Sequence, residues 1–218
     1  MRAGEEAVAR LVAEAKACIE RLTTEREGVE AVLARLAEFD LSAEALTLPE
    51  PLETPTCSHL KAALALAATS EAKPLAEAIS AARPLLHWIT YDAYGPTIGP
   101  RLPKNHTFSG LVGEYRMIPA TDFAMGLFLI APRTLYRDHR HPAPELYVPL
   151  TGPTRWRFGQ GAWETRHAGE PVWNEPNAVH ATLVEDVPLL CLYAWTRDVM
   201  LPAETVDTPD WETIEARL

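Results

Sequence analysis

The sequence predicts a mainly β fold, a barrel or jelly roll, preceded by an N-terminal α-helical region. Three observations carry that prediction. Apolar residues recur every three or four positions early in the chain, the spacing of one helix face. Proline is absent before Pro49 although the chain holds 19, and Phe39 is the lone aromatic residue before Trp88. From about Tyr91 the pattern changes to short apolar or alternating runs punctuated by glycine and proline, as antiparallel strands joined by tight turns require. The division this implies is a helical region over residues 1–90, packed on a β-barrel domain over residues 91–218.

Each element has its own signal. Val8, Leu11, Val12, Ala15, Ile19 and Leu22 form the apolar stripe of a first helix. Val29, Val32, Leu33 and Leu36 form that of a second, after a break near Gly28. Three prolines between residues 48 and 55 end helical structure and predict a loop. Ser58 is placed to cap a third helix running through Ala68, and a fourth runs from Ser70 toward His87 until Pro84 bends or ends it. Eight short strands are then predicted, over residues 111–118, 123–131, 145–150, 154–158, 162–166, 172–173, 180–184 and 189–195. So many strands in about 90 residues predict closure into a barrel or jelly roll.

Composition excludes several functions. With 47% hydrophobic and 23% charged residues in 218, the chain is an ordinary globular protein able to bury a core. Its net charge of −10, from 30 acidic against 20 basic residues, has the wrong sign for binding nucleic acid or an anionic membrane surface. No apolar run is long enough to span a bilayer, and Glu5 and Glu6 stand where a secretory signal would be basic, so the expected location is cytoplasmic. Cys18, Cys57 and Cys191 are too far apart for a zinc knuckle and odd in number, and Cys191 reads as a small buried hydrophobe. The amphipathic helices offer a surface on which a homodimer could form.

The chemistry lies in the segment over residues 138–152. In an extended strand without a bulge, His139, His141, Glu145 and Tyr147, all at odd positions, point the same way and form one wall. Two neutral imidazoles and a carboxylate suit a divalent first-row metal, with positions left open for water or substrate. A third imidazole must come from elsewhere, and His180 is the best candidate because it opens a strand after the turn-like Asn174-Glu175-Pro176-Asn177. His59, His87, His106 and His167 lack comparable spacing to carboxylates and read as surface or satisfied buried histidines. Trp156, Trp163, Trp173 and Trp211 could form a hydrophobic wall or rim that the sequence does not place.

The spacing His139-x-His141-x3-Glu145-x6-Gly152 resembles the first motif of the cupin superfamily, and Gly169, Pro176 and His180 resemble an altered second motif. That resemblance implies a double-stranded β-helix barrel binding one metal ion. The helical N-terminal region, Tyr136-x2-His139-x-His141-x3-Glu145-x-Tyr147, His180 and Trp195 together resemble the cupin-type dimethylsulfoniopropionate lyases more closely. By this resemblance His141, Glu145 and His180 hold zinc, iron or another divalent ion such as manganese, nickel or cobalt. His139 is a further ligand or part of the lining, Tyr147 is the base, and Tyr136 and Trp195 contact the substrate. The implied substrate is a small carboxylate, a sulfonium zwitterion, cleaved to dimethyl sulfide and acrylate. Removing a proton alpha to a carboxylate needs a strong base, and a phenol close to a cation suits that task better than a ligated glutamate. Similar ligand sets also serve non-haem iron dioxygenases, and some cupins bind ligands without turnover, so these remain the alternatives.

Overall fold

The computed structural model describes residues 3–91, 95–114 and 116–218. Tyr115, inside the strand predicted over residues 111–118, and residues 92–94, at the start of the predicted barrel, lie outside the described residues.

Four helices come first: α1 (Ala3–Glu20), α2 (Arg26–Leu36), α3 (Leu60–Ala67) and α4 (Lys73–Ala82). The predicted stripes are the buried faces, with Val8, Leu11, Val12, Ala15, Val29 and Val32 fully buried. The break between α1 and α2 falls before Gly28, at Glu25 with its left-handed φ of 49°. Gly28 itself lies in the first turn of α2, where a Cβ would stand 2.4 Å from the Trp173 ring, so its role is close approach to the barrel. Ser58 does not cap α3. Its hydroxyl donates to the Pro55 carbonyl, 2.8 Å away, within a 3-10 turn over Pro55–His59 that leads into the helix. Pro84 sits in a second such turn, Arg83–Leu85, and ends the fourth helix as its ring requires.

The β strands form two antiparallel-dominated sheets. The first has the order β1 (Trp88–Ile89), β2 (His106–Gly113), β4 (Ala124–Ile130), β11 (Leu189–Trp195), β6 (Glu145–Pro149) and β9 (Val172–Asn174), with β3 (Ile118–Pro119) parallel to β2. The second has the order β12 (Glu204–Thr205), β5 (Thr134–Arg140), β10 (His180–Val184), β7 (Thr154–Phe158) and β8 (Glu164–Arg166). Short α5 (Leu102–Asn105) precedes β2, and α6 (Trp211–Glu215) closes the chain. From β4 to β11 the strands distribute as β4, β6, β9 and β11 in one sheet and β5, β7, β8 and β10 in the other, the double-stranded β-helix that the cupin resemblance implies. The strand expected over residues 111–118 divides into β2, which starts five residues earlier at His106, and β3. Strand β5 has no counterpart among the predicted strands, because Arg137, Asp138, His139 and Arg140 carry no apolar alternation.

Period-two alternation sorts the first sheet's side chains between two cores. Met125, Leu127, Leu129, Leu146, Val148, Leu190 and Leu192 face outward and share one apolar cluster with the buried faces of the helices. Phe128, Ile130, Tyr147, Leu189, Cys191 and Tyr193 face inward and pack with Tyr136, Trp156 and Val184 between the sheets. Strands β4, β6 and β11 are therefore buried on both faces, which explains why they read as continuous apolar runs.

Candidate metal centre and its pocket

The predicted residues converge, though by a route different from one straight strand. Strand β5 ends at Arg140, and Pro142 and Pro144, which have no N–H to give a ladder, make the chain turn before β6 begins at Glu145. His139 therefore lies in one sheet and Glu145 and Tyr147 in the other, on facing walls. A β-bulge adds a second departure. His180 pairs with His139 while Thr182 pairs with Tyr136, so two steps along β10 match three along β5. The extra residue puts Tyr136 and His139, of opposite parity, on the same inner face, where their rings stack with centroids 3.8 Å apart. Arg137 and Asp138, between them, turn outward to Glu215 and Arg157.

Three imidazoles meet inside: one ring nitrogen of each of His139, His141 and His180 lies within 4.8 Å of the others. All three are buried and tethered in the same way. Nδ1–H donates to a carbonyl two residues away: Arg137 for His139 at 2.8 Å, Ala143 for His141 at 2.7 Å and Ala178 for His180 at 2.9 Å. Since a carbonyl only accepts, Nδ1 carries the proton and Nε2 is the nitrogen left to face inward. Glu145, 1% exposed, brings Oε2 to 3.0 Å from His141 Nε2 and 3.6 Å from His180 Nε2. Among the described residues His180 Nε2 has no hydrogen-bond donor or acceptor within reach.

A cluster of buried acceptor atoms is costly unless protons or a cation lie among them. Burial opposes charge on His141, but the adjacent Glu145 carboxylate outweighs it and raises the imidazole's pKa. Burial likewise opposes the Glu145 carboxylate, and the charge and hydrogen bond of His141, with help from His180, hold it well below the usual carboxylate range. Burial, then the neighbouring His180 and His141, drive His139 well below the ordinary histidine value, leaving it in the neutral form that ligates metals. Nitrogen donors with carbonyl-fixed tautomers beside an ionised carboxylate fit a divalent first-row ion, so three buried histidines are placed to hold one.

Glu145 lies at the boundary between this cluster and a cavity of about 150 Å³. Tyr147, two residues on, lines the same cavity, as do Tyr136 and Trp195. Trp195 pairs with Glu145 across β11 and β6, and its indole Nε1–H donates to Glu145 Oε1 at 2.6 Å. All seven predicted residues are thus gathered around one centre. The sequence reading missed three others. Tyr193 faces the cavity two residues before Trp195, a parity signal that was present in the sequence. Arg116 enters from the loop between β2 and β3, where no periodicity exists. Asn174, taken as a turn residue, is the last residue of β9, buried and opposite Glu145.

The remaining histidines stay outside. His106 is buried and satisfied, giving Nδ1–H to Leu102 at 2.5 Å and accepting from Tyr91 N–H at 3.2 Å. The four tryptophans form no common wall: Trp156 packs beside Tyr147, Trp173 meets α2 on the outside, and Trp163 and Trp211 cover arginines outside the second sheet.

Comparison with known proteins agrees with this geometry. A protein of Cereibacter sphaeroides bearing the provisional name dimethylsulfoniopropionate lyase DddL is 27% identical over 178 residues, covering 80% of this chain and 72% of its own. A crystal structure described as that of the lyases RdDddP and RnDddQII superposes with a TM-score of 0.72 at 21% identity, over 94% of this chain and 100% of that one. The lyase DddQ from Ruegeria pomeroyi gives 0.70 at 22% identity, over 91% and 95%. These two similarities establish the shared fold. No helix among the described residues is long and apolar enough to cross a membrane. The sequence profile of one family matches residues 25–191, and by that match the chain belongs to the dimethylsulfoniopropionate lyase family.

Proposed function

We propose that the protein is a metal-dependent carbon–sulfur lyase that cleaves dimethylsulfoniopropionate to dimethyl sulfide and acrylate by β-elimination, with zinc or iron as its ion. The observation that carries this reading is the meeting of three tethered imidazoles with the Glu145 carboxylate at a small cavity walled by phenols and an indole. A divalent ion held by His139, His141, Glu145 and His180 would withdraw charge from a substrate carboxylate and make its alpha proton easier to remove.

Tyr147, in its phenolate form, takes that proton on Oη. The C–H electron pair becomes the carbon–carbon double bond, the β-carbon–sulfur bond breaks with its pair on sulfur, and acrylate and dimethyl sulfide leave. Tyr147 then returns its proton to solvent. Glu145 is not available as the base, because one of its oxygens accepts from Trp195 and the other would hold the ion. Tyr193 is a poor base, since burial pushes its phenol up to about 12 against the opposing charge of Arg116. The faces of Trp195 and Tyr136 suit a sulfonium that cannot hydrogen-bond, each cation–π contact contributing about 0.5–2 kcal/mol. A cavity of about 150 Å³ admits a molecule of this size and excludes drug-sized ligands.

Metal-loaded protein should release dimethyl sulfide and acrylate in equal amounts without consuming oxygen. Iron-dependent oxygen uptake, or tight binding of the sulfonium with no product, would overturn the reading.

A further inference from the structure

We infer that Asn174 is a positioning residue of the metal centre, whose side-chain amide hydrogen-bonds a water carried by the ion on the flank away from the substrate cavity. This rests on the metal-dependent reading above and extends it to a residue outside the ligand set. Asn174 ends β9 and pairs directly with Glu145 across β9 and β6. Residues opposite each other in this way share a face, with Cβ atoms about 5 Å apart. Alternation along β9 agrees: Val172 packs in the inner core, and Trp173 turns outward to Gly28 of α2. The amide is therefore on the inner face, beside a metal ligand.

Asn174 is 1% exposed, and among the described residues neither its Oδ1 nor its Nδ2 has a hydrogen-bond partner. His180 Nε2, a nitrogen of the metal cluster, has the same character. A buried amide with acceptor and donors both unmet is costly, so one kept beside Glu145 calls for an occupant that can donate and accept. Water is the smallest such molecule. The chain beyond Asn174 wraps the same centre: Asn177 N–H donates to the His141 carbonyl at 2.8 Å, and the Ala178 carbonyl tethers His180. On the other side of β6 lies β11, which brings Tyr193 and Trp195 to the cavity. Substrate thus arrives on one flank of Glu145, and the amide stands on the other. Four protein donors leave two positions on a six-coordinate first-row ion. One is for the substrate carboxylate, and the other carries the water, whose O–H donates to Asn174 Oδ1. Keeping that position filled leaves the carboxylate only the one on the cavity side, where Tyr147 is.

Wild type, N174L and N174D, each metal-free and loaded with cobalt(II), decide the point. Leucine matches asparagine in size and offers no polar atom, so N174L should lose the water. Its visible cobalt absorption should rise about threefold or more as the coordination number falls, and chelator competition should show metal affinity weakened about tenfold. Without metal, N174L should melt at or above the wild-type midpoint, because an unmet buried amide has been removed. N174D keeps an acceptor at Oδ1 and should retain the wild-type spectrum. A wild-type spectrum and affinity in N174L overturn the inference. It is equally overturned if metal-free N174L melts well below the wild type or does not fold, or if N174D changes the spectrum as much as N174L does, since each makes the residue structural. None of these readouts needs turnover. A wild type that binds cobalt and releases no dimethyl sulfide sinks the lyase reading alone, whereas one that takes up no cobalt sinks both.

Discussion

At the scale of single residues, the centre separates groups that hold a metal from groups that do chemistry. Tyr147→Phe should cut turnover by about a hundredfold or more, the contribution of a positioned base, while metal content by elemental analysis stays at the wild-type level. Loss of metal in that variant would make Tyr147 a ligand instead. Trp195→Phe keeps an aromatic face but removes the indole N–H from Glu145 Oε1. It should weaken metal affinity by about tenfold, as loss of a ligand-orienting hydrogen bond does, and competition with a chelator measures this. His141→Ala and His180→Ala should each lower occupancy outright. These residues were legible in the sequence because ligand chemistry demands particular side chains at particular spacings. Arg116 was not, because a long flexible side chain reaching over Gly110 leaves no periodic trace.

At the scale of elements, strand β5 has the most to explain and was the least legible. Its inner face carries Tyr136 and His139, and its outer face carries Arg137 and Asp138, a split that only the bulge permits. Asp138, 1% exposed, accepts from Arg157 Nε at 3.1 Å and from Trp211 Nε1 at 2.7 Å. Arg157 also binds Asp210, and Arg137 sits 4.7 Å above the Trp211 ring. Helix α6 is thereby fastened to the strand that carries His139. Asp138→Ala leaves Arg157 partly buried with one partner fewer and should cost about 3 kcal/mol. A lower thermal midpoint, with faster amide exchange over residues 204–218, is the expected signature; unchanged exchange there would show that α6 is held by something else. Sequence patterning failed here because the bulge puts Tyr136 and His139, of opposite parity, on one face and charged residues on the other, which erases period two. It succeeded for β4, β6 and β11, whose apolar faces both find a core.

At the scale of the whole molecule, the helices and the outer face of the first sheet share one apolar cluster, so Leu127, Leu129, Leu190 and Leu192 would meet water without α1 to α4. Each such leucine forfeits about 1.5–3 kcal/mol when re-exposed. A fragment of residues 91–218 should therefore be insoluble or molten when expressed alone, although the proposed metal ligands and base all lie within it. A cooperative thermal transition in that fragment would refute the expectation. Metal binding should stabilise the full chain by about 4 kcal/mol when free ion exceeds its dissociation constant a thousandfold, read as a rise in thermal midpoint that chelation reverses. The broad division into helices and barrel was visible in proline and aromatic usage, whereas their common core was not, since a helical stripe does not name the surface it covers. Finally, each of the three imidazoles takes its bearing from a carbonyl only two positions along its own chain. Aim is thus written into short peptides rather than borrowed from remote loops, which makes residues 137–145 and 178–180 portable cassettes for anyone installing such a tripod in an unrelated jelly roll.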